Sequence, residues 1–256
     1  MSIIDFKMPK IKFKKMKMDV VEELQNIDYE KIQKKNSKQK RTTPYEDVTH
    51  YKTVKEFFLR AVEKYPNEDC ILEKPDHKTP YKTTTYKEFK EDVFGLGTAL
   101  INILNLKDKR VIIVGETQYG WYVSYMAMLC GVGIAVPTDR ELPENELENI
   151  VRRSRASAII YSSKKADDIK KVKERIPEVE YFIEMKSDKP LEGKDVGLNT
   201  LITLGKNIIK TGDKSFERIE IDPEEFKILF FTSGTTSNSK GVMLNNRNLA
   251  ENVNAV

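Results

Sequence analysis

The sequence predicts an α/β protein built on a doubly wound, mostly parallel sheet with helices on both faces. Two short, wholly apolar runs, VIIV at 111–114 and AII at 158–160, are too brief for helices and lack the alternation of a half-exposed strand. Such runs are the pattern of strands covered on both faces. Amphipathic segments of helical length separate them from their neighbours, the order that builds parallel sheets through crossover helices. At 256 residues, with 39% hydrophobic and 33% charged residues, the chain is long enough to bury a substantial core.

The elements follow in order. Thr53 with Glu56 three residues on forms a capping box, after which Val54, Phe57, Phe58, Ala61 and Val62 recur at helical spacing until Pro66. A second box, Thr85 with Glu88, opens a longer helix whose stripe is Phe89, Val93, Leu96, Leu100 and Ile103. Alternation then predicts a strand at 111–114, helix 119–130, strand 133–137, helix 143–155, strand 158–161, helix 164–175 and strand 180–183. Residues 186–196 read as a loop, 197–211 as a helix, and Asp222-Pro223 as a turn before an apolar strand from 226.

Thr117–Thr138 carries no charge over 22 residues, long enough to cross a membrane. Gly120, Gly131, Gly133 and Pro137 interrupt it, so the preferred reading is a buried helix followed by a buried strand. Gly95-Leu96-Gly97 lies inside a helical stripe and Gly131-Val132-Gly133 lacks a third glycine, so neither makes a dinucleotide fingerprint; both read as packing contacts. Cys70 and Cys130, far apart and without a C-x-x-C partner, read as free thiols of a reducing compartment. His50 and His77 do not suffice for a His-built metal site.

The formal charge of +4 is unevenly divided. Residues 1–41 hold 12 Lys and Arg against 6 acids, a balance of +6, which leaves −2 for the remainder. A nucleic-acid enzyme carries its basic footprint on the folded body, so no nucleic-acid partner is expected. Residues 1–45 form a basic N-terminal arm in which Ile11, Phe13, Met16 and Met18 stand among lysines. The preferred reading is a solvated arm; the alternative is peripheral contact of residues 7–18 with an anionic membrane surface. The expected location is cytoplasmic, with that peripheral contact as its variant.

The chemistry concentrates in 226–244, FKILFFTSGTTSNSKGVML, where an apolar strand ends in a hydroxyl-rich loop with one lysine before a second apolar strand. Backbone N–H groups, rotatable hydroxyls and an ammonium together can wrap a polyphosphate; the plain alternative is a polar hairpin turn. A Walker A loop fails twice, because Ser239 stands where its second glycine belongs and Lys240 precedes Gly241 instead of a hydroxyl residue.

Through Phe231, Thr232, Ser233, Gly234, Thr235, Thr236, Lys240, Gly241 and Val242, this loop resembles the phosphate-binding signature [FY]-T-S-G-[ST]-T-G-x-P-K-G-V of the AMP-forming, adenylate-forming synthetases. Elsewhere TVKEFFLRAVEKYPN (53–67), TYKEF (85–89) and the segment 120–154 are similar to the long-chain acyl-CoA synthetase branch, so the resemblance runs from about Tyr51 to Val256. Three positions depart from the family pattern: Ser237 replaces Gly, Ser239 replaces Pro, and Asn246 stands where His is frequent.

The resemblance implies that residues 46–256 are a partial AMP-binding domain, truncated at its C-terminal end. It implies ATP, Mg2+ and coenzyme A as cofactors and a small-molecule carboxylic acid, of fatty type, as substrate. Thr232, Ser233, Gly234, Thr235, Thr236 and Lys240 would hold the ATP phosphates. No catalytic residue is expected in this portion, and the missing C-terminal half of the same protein would supply the adenine pocket, the ribose carboxylate and a catalytic lysine. Two readings from other classes stand beside it: a non-catalytic nucleotide- or acyl-binding module, and a membrane-surface adaptor acting through the lysine-rich arm.

Overall fold

The computed structural model describes residues 49–74, 78–232 and 239–254. The arm at 1–45, and Ser233, Gly234, Thr235, Thr236, Ser237 and His77, lie outside the described residues.

Helix α1 (Val54–Lys64) begins at the expected capping box: Thr53 Oγ1 accepts from the Glu56 amide at 3.2 Å, and the Glu56 carboxylate accepts from the Thr53 amide at 3.3 Å. Val54, Phe58 and Val62 are buried, and the helix ends at Tyr65, just before Pro66. Strands β1 (Asp69–Glu73) and β2 (Lys82–Thr85) form a small antiparallel pair that the sequence reading does not contain. KTTT carries no large apolar residue, so periodicity is silent there. Helix α2 (Tyr86–Asn102) opens at the second capping box, with Glu88 accepting from the Thr85 amide at 2.8 Å.

The alternating elements follow as predicted, with no end moved by more than three residues: β3 (Arg110–Val114), α3 (Tyr119–Ala127), β4 (Ile134–Thr138), α4 (Glu144–Ser154), β5 (Ala158–Tyr161), α5 (Ala166–Lys173) and β6 (Tyr181–Glu184). Helix α3 stops short of its expected end because the chain loosens into a π-turn at Met128–Val132, where Gly131 takes φ 138°, a conformation open to glycine. The uncharged stretch 117–138 is core, with Val123, Ala127, Met128, Cys130, Val132, Ala135 and Val136 fully buried. Among the described residues no helix is long and apolar enough to cross a membrane.

The expected loop at 186–196 gives way at its end to a three-residue strand, β7 (Asp195–Gly197), recruited by pairing with β6 and too short to show a period. Helix α6 (Leu198–Lys210), strands β8 (Phe226–Thr232) and β9 (Lys240–Asn245) and helix α7 (Asn246–Asn254) complete the described chain.

Seven strands form one sheet in the order β7-β6-β5-β3-β4-β8-β9, parallel throughout except for β9. The period of two sends Val111 and Ile113 to one face, packed beneath α2, α3 and α6, and Ile112 and Val114 to the other, beneath α4 and α5. This explains why VIIV is apolar at every position. Helices α2 and α6 meet backbone to backbone: a Cβ on Gly205 would stand 1.8 Å from the carbonyl oxygen of Gly95, and one on Gly97 would strike the Phe216 ring. The glycines of Gly95-Leu96-Gly97 are therefore helix-packing residues. Cys130 is buried, and burial pushes its thiol up to about 12 although the charge of Lys55 acts the other way.

Candidate nucleotide site

Strand β8 is parallel to β4, so its last residue, Thr232, lies at the sheet edge where the other parallel strands end. The antiparallel register sets Thr232 opposite Lys240 and Phe231 opposite Gly241. Thr232 Oγ1 donates to the Lys240 carbonyl at 3.5 Å, and both side chains lie in solvent. Of the six residues expected to hold phosphate, these two are described and stand at paired positions on the two sides of the loop.

Helix α4 reaches this loop. Arg153 donates from Nη2 to the carbonyl oxygen of Ser239 at 2.7 Å and from Nη1 to Ser239 Oγ at 3.1 Å. Its guanidinium lies 5.1 Å from the centre of the Phe231 ring, within cation–π range.

A second feature of the same edge comes from the strand order. From β3 the chain moves to β4 on one side, and from β4 to β5 on the other side of β3, which opens a crevice outside the carboxyl ends of β3 and β5. In open parallel sheets such a reversal point is where ligands bind. Gly115 follows β3 directly at φ 139°, and a Cβ there would come within 2.5 Å of the Ser162 side chain. A cleft of about 350 Å³ opens beside it, lined by Glu116, Arg140, Ser162, Lys164 and Lys165 among others.

Glu116 Oε1 pairs with Lys164 Nζ at 2.8 Å. Burial alone would raise the Glu116 carboxyl, but the Lys164 ammonium beside it holds it down at about 2. Lys165 is fixed by the Leu142 carbonyl at 3.1 Å and Asp168 Oδ2 at 2.9 Å. The sequence reading missed this crevice. Its signal is a glycine immediately after VIIV and two serines immediately after AIIY.

Asn246 is fully buried, and its Oδ1 accepts from the Val54 amide at 3.3 Å, joining the start of α7 to the start of α1. Its place is thus a packing contact. Among the described residues no group of three His, Cys, Asp or Glu side chains is placed to hold a metal ion.

The fold is a doubly wound, mostly parallel α/β sheet with helices on both faces, in which β8 and β9 set Thr232 opposite Lys240. The AMP-binding enzyme family model matches residues 58–256, and the chain belongs to that family. It is 27% identical over 215 residues to rat long-chain-fatty-acid–CoA ligase 5, a match covering 80% of this chain and 31% of that protein. To Arabidopsis thaliana long chain acyl-CoA synthetase 8 it is 25% identical over 181 residues, 68% of this chain and 25% of the relative.

Among solved structures, a long-chain-fatty-acid–CoA ligase from Archaeoglobus fulgidus superposes with a TM-score of 0.66 at 22% identity, covering 83% of this chain and 41% of the other. An anthranilate CoA ligase in complex with anthranoyl-AMP gives 0.63 at 20% identity, covering 78% and 36%. The shared fold is that of the N-terminal part of adenylate-forming enzymes. The chain spans about a third of the length of these relatives.

Proposed function

We propose that this chain is the phosphate-binding portion of an AMP-forming ligase that activates a fatty acid as its acyl-adenylate and passes the acyl group to coenzyme A. The observation that carries this is the pairing of Thr232 with Lys240 across β8 and β9 at the carboxyl edge of the sheet, in a member of the AMP-binding enzyme family.

In that reaction the substrate carboxylate attacks the α-phosphorus of ATP, the bond to the β-phosphate oxygen breaks, and pyrophosphate leaves. Charge accumulates on the departing pyrophosphate, and an ammonium with fixed donors beside it lowers the barrier by stabilising that charge. Lys240 supplies the ammonium; Thr232, with Ser233, Gly234, Thr235 and Thr236, supplies hydroxyl and amide donors. No general base is required of these residues, because the attacking carboxylate is already ionised. A Mg2+ ion, where bound with the nucleotide, would supply further positive charge against the leaving pyrophosphate. The second step transfers the acyl group from AMP to a thiol.

The test is calorimetric titration of this chain with ATP, inorganic tripolyphosphate and adenosine. Binding of ATP and tripolyphosphate at comparable affinity, near the millimolar range of about −4 kcal/mol, is expected, with adenosine inert and Lys240→Ala abolishing both. Tripolyphosphate binding that survives Lys240→Ala would remove the loop from the site. In a protein extended to the length of the relatives, carboxylate-dependent exchange of pyrophosphate into ATP separates a ligase from a binding module.

A further inference from the structure

The signature that this loop resembles places a proline before the lysine. Ser239 occupies that position. Its carbonyl and its hydroxyl are both taken by the guanidinium of Arg153, 86 residues earlier, at 2.7 Å and 3.1 Å. The carbonyl of Ser239 and the amide of Lys240 belong to one peptide plane, so a donor fixed on the first orients the second. On its other side Lys240 is held by the strand register opposite Thr232 and by the bond from Thr232 Oγ1 to its carbonyl. Arg153 is itself placed by the Phe231 ring, and Phe231 pairs with Gly241, next to Lys240. Arginine, ring, strand and loop therefore close one circuit around the lysine.

We infer that Arg153 is a positioning residue for Lys240: by forking onto Ser239 it sets the direction in which the lysine leaves the sheet, doing by hydrogen bonding what a proline does by ring closure. Proline restricts φ covalently and needs no partner. Serine leaves that torsion free, and a planar two-pronged donor is the side chain suited to holding a hydroxyl and a carbonyl of one residue together. The inference rests on the reading of Lys240 as the phosphate-binding cation, and it concerns geometry delivered to that lysine; Arg153 is not assigned a contact with the nucleotide.

The test combines amide exchange and polyphosphate affinity in four proteins: the parent chain, Arg153→Ala, Arg153→Lys, and Arg153→Ala combined with Ser239→Pro. Without ligand, hydrogen exchange at residues 239–241 is expected to quicken about tenfold in Arg153→Ala, the loss of roughly two exposed hydrogen bonds, and to be unchanged in the rest of β9. Affinity for inorganic tripolyphosphate is expected to fall about tenfold in Arg153→Ala. Arg153→Lys keeps the charge but not the fork, and is expected to bind nearly as weakly. Adding Ser239→Pro is expected to restore affinity to within about twofold of the parent, because the ring removes the freedom that the fork suppressed.

Unchanged exchange in Arg153→Ala would overturn the tether. Full binding by Arg153→Lys would show a charge acting on the phosphate itself, and a failure of Ser239→Pro to rescue would separate the tether from Lys240; either result overturns the inference. A parent chain that binds no tripolyphosphate defeats the underlying reading of Lys240, whereas exchange judges the tether separately.

Discussion

Lys55 Nζ lies 2.7 Å from the carbonyl oxygen of Ile219, 164 residues further along the chain. The same ammonium donates to the carbonyls of Glu217 at 2.9 Å and Phe216 at 3.3 Å, so one buried cation gathers a whole turn of backbone. Burial lowers its pKa, with Lys107 acting the same way and Cys130 and Glu217 opposing. Replacing Lys55 with Met keeps the apolar stem and leaves carbonyl oxygens without a donor. Urea denaturation should show a loss of about 2 kcal/mol or more. An unchanged midpoint would mean that water replaces the ammonium at no cost.

The contact between α2 and α6 gives a sharper steric prediction. Gly205→Ala would put a methyl 1.8 Å from the Gly95 carbonyl oxygen, and backbone on both sides cannot step aside as a side chain can. We expect a loss of about 3 kcal/mol or more, or no soluble protein. Thr203→Ala on the exposed face of the same helix should stay within about 0.5 kcal/mol of the parent. Equal stabilities for the two variants would contradict the packing described.

Glu116 makes stability depend on pH in a defined direction. Its carboxyl is held at about 2 against an ordinary value of 4.5, so the ionised form is favoured in the folded protein. A depressed carboxyl contributes stability that is complete above 4.5 and is lost as pH falls towards 2. Glu116→Gln should flatten that acid limb by about 1 kcal/mol between neutral and acidic pH. Parallel pH–stability curves for parent and variant would show that the pair with Lys164 adds nothing.

The lysine-rich arm carries a prediction that rests on sequence alone. If residues 7–18 touch an anionic surface, the chain should sediment with phosphatidylserine-containing vesicles at low salt. It should be released at 1 M salt, where the screening length shrinks to about 3 Å. A chain shortened by residues 1–18 that still sediments would end the proposal.

The candidate site could be proposed from the sequence because its chemistry is local. The run TSGTTSNSK declares hydroxyl and ammonium donors within ten residues, and the apolar FKILFF before it declares the strand that delivers them. Arg153 was not legible, because nothing in ENIVRRS distinguishes it from its neighbour Arg152, which instead pairs with Glu148 and Glu178. The difference between the two arginines is a matter of which side of α4 faces β8. The β1–β2 pair escaped for a related reason, since KTTT becomes a strand only by pairing with DCILE.

The sequence by itself determined the kinds of element and most of their order. Capping boxes at Thr53 and Thr85, the double-sided apolar run at 111–114 and the helical stripe through Phe89 and Leu100 are short-range patterns, set by periods of two and 3.6 residues. Tertiary structure alone decided the strand order, which carries the chain from β4 across β3 to β5 on its far side and so brings Gly115 against Ser162. It alone decided that Gly95 meets Gly205 and that Arg153 reaches Ser239. The physical reason is range: a period is written in neighbouring residues, whereas a pairing between segments many residues apart depends on which surfaces pack together.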